Sequence, residues 1–145
     1  DLETCHVVPA LIRKFVEAVE NNQKEVIIWG SGLPSREFLY VDDTAKAILE
    51  VVERFNESGP LNLGTGIETS IKNLASKVKE LTGFNGHISW DKSKPDGQFR
   101  KYYDMGLFKK ELGYIPNTSL EDGLKKTIKW YRLNRKQVID SEILD

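Results

Sequence analysis

The stretch Trp29-Gly-Ser-Gly-Leu-Pro-Ser-Arg36-Glu-Phe-Leu-Tyr-Val-Asp-Asp43 joins a Gly/Pro-marked polar loop, one placed arginine and the start of a helix. Phe38, Tyr40 and Val41 read as a short buried extended segment, and Asp42 or Asp43 is predicted to cap the following helix by accepting its free backbone N–H groups. Arg36 then stands at the edge of firm structure. A guanidinium is a planar fork of donors that matches phosphate or carboxylate oxygens, so Arg36 is suited to clamping a diphosphate. The same residues also accommodate a plain surface pair, Arg36–Asp42 or Arg36–Glu37.

Upstream, Glu25-Val-Ile-Ile-Trp29 is a short β-branched run that reads as a buried strand. Before it, Val8, Leu11, Ile12, Phe15, Val16 and Val19 recur at helical spacing, with Pro9 tolerated in the first turn. Downstream, a helix is predicted from Asp43 to Phe55 with Ile48, Val51, Val52 and Phe55 inward. Leu61-Asn-Leu63 reads as a short strand, and Gly64-Thr-Gly66 turns the chain into a third helix, capped by Thr69 or Ser70 and closed by Gly83. A glycine turn between strand and helix can cradle phosphate, but neither GxGxxG nor GxxxxGK[ST] is present, which favours a tight connecting turn.

Gly86–Trp90 is a further strand, followed by the polar loop Asp91–Lys101, which carries Lys92, Lys94, Arg100 and Lys101. A short helix is predicted over Asp104–Leu112. Ser119-Leu-Glu-Asp122 fits a capping box for a last helix with Leu120, Leu124, Ile128 and Tyr131 inward, and a frayed tail is predicted over residues 135–145. Alternating strands and helices give an α/β class. The few strands and the missing glycine-rich first turn fall short of a complete doubly wound dinucleotide fold.

The 145 residues suffice for one domain, and 39% hydrophobic with 30% charged residues is ordinary for a globular chain. No apolar run approaches the roughly 20 residues of a membrane-spanning helix. A formal charge of -1 provides no basic field for nucleic acid. The single cysteine, Cys5, excludes an intrachain disulfide framework and fits a reducing, cytoplasmic compartment. Cys5 adjoins His6, but sequence neighbours do not face each other on a strand or a helix, which disfavours a thiolate–imidazole pair. His6 and His87 lie far apart without further ligands at metal spacing, so no metal site is indicated. A start at Asp1 without a leader suggests a piece of something longer.

Four pieces in this order, His-Val-Val-Pro-Ala-Leu-Ile-Arg-Lys-Phe, Trp-Gly-Ser-Gly-x-Pro-x-Arg-Glu-Phe-Leu-Tyr-Val-Asp-Asp, Asn-Leu-Gly-Thr-Gly and Ser-Lys-Pro-Asp-Gly-x-x-Arg-Lys, resemble the GDP-L-fucose synthases. These belong to the extended short-chain dehydrogenase class, with the NAD-dependent epimerases and dehydratases of nucleotide sugars. The second piece is common to that whole class, while the opening helix and the Ser-Lys-Pro-Asp-Gly loop narrow it.

The resemblance reaches about Asn134 and implies that residues 1–134 are the carboxy-terminal, substrate-binding portion of such an enzyme, lacking most of the Rossmann domain. It implies an NADPH-dependent epimerase and reductase that turns GDP-4-keto-6-deoxy-D-mannose into GDP-L-fucose. The family's NADP-binding turn, its Ser/Tyr/Lys triad and its cysteine base belong to the amino-terminal half. Cys5 does not match that cysteine.

On the residues that do match, the resemblance implies that His6 is the acid that reprotonates the epimerised carbons and lies near the cofactor, a role suited to imidazole. Arg36 and Lys101 look like the cations that meet the diphosphate, and Trp29 and Asp96 match substrate-contacting positions, although Trp29 equally suits a core. Lys14 stands where better-known relatives carry arginine, keeping the charge without the fork. Lys94 and Arg100 would add field without contact. The implied partners are a GDP-sugar, the missing amino-terminal half and a possible second copy. The rivals to this reading are a fragment of another nucleotide-sugar epimerase or dehydratase, where a simple 4-epimerase would not need the His6 acid, and a stand-alone nucleotide-sugar module. A truncated enzyme should expose an apolar face and a stand-alone module should not.

Overall fold

The computed structural model describes residues 5–113 and 116–142, the last seven as helical backbone. Residues 1–4 and 143–145, at the two ends of the predicted division, lie outside the described residues. The order is α1 (Val7–Glu20), β1 (Glu25–Trp29), β2 (Ser35–Arg36), α2 (Val41–Arg54), β3 (Thr69–Ser70), α3 (Ile71–Thr82), β4 (His87–Asp91), β5 (Arg100–Lys101), α4 (Gly106–Leu112) and α5 (Leu120–Glu142).

Two small sheets organise the chain. β1 and β4 pair in parallel, from Glu25 opposite His87 to Trp29 opposite Asp91. Their inward residues Val26 and Ile28 meet Leu11, Ile12, Phe15 and Val16 of α1, Leu74, Ala75 and Val78 of α3, and Leu124 and Ile128 of α5. The helical periods read in the sequence for α1 and α5 therefore correspond to faces that form this core. Ser70 Oγ accepts from the Asn73 N–H at 3.1 Å, and Gly83 ends α3 at φ +77°, as its cap and stop residues predict.

The second sheet is built from three two-residue strands in the order β3-β2-β5. Beside it, Ala47 of α2 packs with Met105, Phe108 and Leu112, joined by Val51, Phe55, Leu61 and Leu63.

Several expectations are corrected. β1 is buried on one face only, with Ile27 and Trp29 about half exposed, because helices cover a single side of its sheet. Val41 begins α2 and is exposed rather than buried and extended. Tyr40, not Asp42 or Asp43, occupies the N-cap position, and no side chain caps there. Asp43 is instead 1% exposed, with its Oδ2 accepting the Thr118 N–H at 2.8 Å.

Ile48 and Val52 are exposed, and Ala47 takes the inward place on α2. Leu61–Leu63 packs against the second cluster without joining a sheet. α5 runs as helix to Glu142. Among the described residues no helix is long and apolar enough to cross a membrane.

Candidate functional site

β2 places Arg36 in the middle of the small sheet, antiparallel to Thr69 on β3 and parallel to Lys101 on β5. Register partners on adjacent strands project from the same face, so Arg36 and Lys101 stand side by side. Like charges in that arrangement repel, and neither forms an ion pair among the described residues. Arg36 Nη1 donates to the Ser35 carbonyl at 2.7 Å, and among the described residues neither surface pair considered for it is made. Lys101 Nζ lies 5.9 Å from the centre of the Tyr103 ring.

The adjacent cation is dealt with separately. Arg100 Nε donates to both oxygens of Glu68 at 3.0 and 2.9 Å, Nη2 reaches the same carboxylate, and Ser35 Oγ donates to Glu68 at 2.9 Å. Donation from Arg100 first, and Ser35 second, holds the Glu68 carboxyl down at about 2, so it stays charged across the neutral range. Arg100 is neutralised, while Arg36 and Lys101 keep their fields.

A cleft of about 340 Å³ opens over this pair, lined by His6, Val7, Val8, Arg36, Glu37, Phe38, Lys101 and Tyr103. His6 is the exposed N-cap residue of α1, and its ring makes no capping hydrogen bond. Three residues far apart in sequence, His6, Arg36 and Lys101, thus meet in one cavity.

Lys14, Trp29 and Asp96 form a neighbouring patch. Lys14 Nζ donates to the Ile27 carbonyl at 2.8 Å and sits 5.7 Å from the Trp29 ring centre, while Lys94 Nζ lies over the same ring at 5.0 Å. Burial lowers the Lys14 ammonium below the ordinary lysine range, and Cys5 acts in the opposite direction. Trp29 is 45% exposed, so it is a surface platform rather than the core aromatic it could have been.

Asp96 accepts from Ser31 Oγ and from the Ser31 N–H, both at 2.6 Å, and these two bonds hold its carboxyl below the usual range. Its visible work is to fasten the 91–101 loop to the 30–34 loop. Gly32, at φ +76°, lets that loop pass the Trp90 ring, where a Cβ would fall 2.6 Å from the ring edge. A connection to the cleft runs through Gly97, where a Cβ would lie 3.9 Å from Arg36 Nη2.

The Gly64–Gly66 turn has a definite occupant. Glu37 Oε1 accepts from the Thr65 N–H at 2.7 Å and from the Gly66 N–H, and Oε2 accepts from the Tyr103 N–H at 2.7 Å. The turn therefore holds an internal carboxylate and does not offer its donors to a nucleotide phosphate. Glu37, Tyr103 and Ser31 were not singled out from sequence. The available signal was the turn itself, since donors able to cradle an anion are equally able to take a side-chain carboxylate. Among the described residues no group of three or more His, Cys, Asp or Glu is placed to hold a metal.

Comparison with known proteins adds four findings. Residues 1–64 match the model of the NAD dependent epimerase/dehydratase family. A putative GDP-L-fucose synthase 2 of Arabidopsis thaliana is 48% identical over 132 residues, 91% of this chain and 40% of that protein. The GDP-L-fucose synthase of Escherichia coli K12 is 40% identical over 139 residues, 90% of this chain and 43% of that protein. Among solved structures, a GDP-L-fucose synthetase of Naegleria fowleri bound to NADP superposes with a TM-score of 0.88 at 30% identity, over 94% of this chain and 43% of that one. The chain spans about two-fifths of the length of these relatives.

Proposed function

We propose that the chain belongs to the NAD dependent epimerase/dehydratase family, whose model matches residues 1–64, and that residues 1–134 are the GDP-sugar-binding portion of a cytoplasmic GDP-L-fucose synthase. The observation that carries this reading is the side-by-side placement of Arg36 and Lys101, unpaired among the described residues, under a cleft that His6 also lines. Two adjacent cations repel until an anion lies between them, and a diphosphate carries enough charge and oxygens to engage both. Arg36 supplies the fork and Lys101 a mobile point charge.

His6, at the other wall of the cleft, is the acid that returns protons to the sugar carbons. Trp29, flanked by Lys14 and Lys94, offers a face to the remainder of the ligand. Asp96 serves the substrate through the loop that it fastens to Ser31.

The cofactor of the whole protein is NADP, whose reduced form, NADPH, would supply the hydride for reduction of the ketone. The glycine turn of this chain does not fit its phosphates, because Glu37 occupies the donors. The chain alone is therefore expected not to oxidise NADPH with the 4-keto sugar. Fixing the cofactor against the sugar needs groups from a further, amino-terminal portion, its partner in the working enzyme.

Calorimetric titration with GDP, GDP-fucose and UDP, repeated with Arg36→Ala, tests the assignment. Preferential binding of the guanine ligands, weakened at least roughly tenfold in the variant, is expected for loss of a charged clamp. Equal affinity for UDP would point instead to a relative that handles another nucleotide sugar. Unchanged binding in Arg36→Ala would remove Arg36 from the site.

A further inference from the structure

We propose that Glu37 is a positioning residue for this anion site: its carboxylate ties the Thr65–Gly66 turn and the Tyr103 backbone to the Arg36 strand, and so keeps Arg36 and Lys101 on one face. The inference rests on the reading of the cleft as a diphosphate site.

The sheet that carries the two cations is too short to hold itself. β2, β3 and β5 are two residues each, whereas independent sheets need longer strands. Glu37, the residue directly after β2, adds ties on both sides. It accepts from the Thr65 N–H at 2.7 Å, from Thr65 Oγ1 at 3.2 Å and from the Gly66 N–H, and its other oxygen accepts from the Tyr103 N–H at 2.7 Å. Bonds to an ionised acceptor are the stronger kind. Tyr103 lies two residues beyond Lys101, so fixing its backbone fixes the end of β5.

The fit is close, since a Cβ at Gly64 would fall 2.8 Å from Oε1 of Glu37. The arrangement also disposes of an electrostatic problem. A carboxylate adjoining Arg36 would ordinarily neutralise it and repel a diphosphate. Here both Glu37 oxygens are engaged by backbone donors, while Arg36 turns to the Ser35 carbonyl.

This assigns opposite signs to two rival roles. If Glu37 were only a nearby negative charge, Glu37→Gln would strengthen binding of an anion. As a positioning residue, its replacement must weaken binding, although repulsion is removed. The experiment titrates the protein and Glu37→Gln with GDP and with inorganic pyrophosphate, and follows amide hydrogen exchange at Gly66, Tyr103 and the distant core residue Val78.

The expected result is roughly tenfold weaker binding of both ligands, the scale of one charged hydrogen bond, with joint acceleration of exchange at Gly66 and Tyr103 and none at Val78. Equal or tighter binding by a folded Glu37→Gln overturns the proposal. If Glu37→Gln does not fold, Gly64→Ala, which drives a methyl toward the same carboxylate, must produce the same weakening or the proposal fails. If the parent binds neither ligand, it is the diphosphate reading that fails. The exchange measurement then decides separately whether Glu37 ties the two loops, and independent behaviour of Gly66 and Tyr103 refutes it.

Discussion

Asp43 shows how one residue type serves different ends. At the start of α2 an acid suits capping, yet its side chain is buried and reaches across to the Thr118 N–H. Burial acts to raise its carboxyl, but the Thr118 bonds and the charge of Lys46 outweigh it and bring it below the ordinary range. The Asp43→Ala variant leaves the Thr118 N–H without this acceptor, which should cost about 1–3 kcal/mol. A urea midpoint unchanged within error would show that water replaces the carboxylate. This misreading has a plain cause: capping is a local pattern, whereas the partner of Asp43 lies far along the chain. The same holds for Glu37, whose three backbone donors come from two distant loops. His6, Arg36 and Lys101, which the resemblance names together, line one cleft, a proximity that periodicity alone gives no means of reading.

Among the elements, legibility followed length. α1 and α3 are long enough for several repeats of a helical apolar period, β1 is a continuous β-branched run, and the bounds of all three in the sequence agree closely with those in the fold. β2, β3 and β5 hold two residues each, too few for alternation to register, and they exist through pairing with remote strands. On α2, Val51 and Phe55 pack inward as predicted while Ile48 and Val52 do not, because apolar residues occupy more than one of its sides and the period alone identifies a helix without fixing its whole inward face.

The small sheet also has an acid-sensitive element. Glu68, just before β3, bridges Ser35 of β2 and Arg100 of β5. Its carboxyl is lowered from an ordinary 4.5 to about 2. A group depressed in the folded state stabilises above its unfolded value and loses that contribution as pH falls through the folded one. Stability should therefore decline between about pH 4.5 and 2 through this group, and Glu68→Gln should flatten that part of the profile of denaturant midpoint against pH. A profile of unchanged steepness would assign the acid sensitivity elsewhere. Both partners are exposed, so the amplitude is expected to be small and to shrink with added salt.

For the molecule as a whole, the surface holds an apolar stripe that the described core does not use. Val41, Ile48, Leu49 and Val52 are 67, 53, 61 and 76% exposed, and their spacing puts them along one side of α2. The opposite side of that helix, through Ala47, already packs on Phe108 and Leu112 of α4. A helix apolar on both sides is suited to being covered on both, and a self-contained binding module has no need of the second stripe. The chain on its own should therefore associate through this face. Light scattering over a dilution series is expected to give an average mass that rises with concentration, and Ile48→Glu with Val52→Lys should abolish the rise. Because both side chains are exposed, each change should alter stability by no more than about 0.5 kcal/mol, which separates loss of association from loss of fold. A monomeric mass at every concentration would favour the stand-alone module, with the stripe on α2 tolerated in water. An association that survives both substitutions would instead direct attention to the exposed Trp130 and Leu133 on α5.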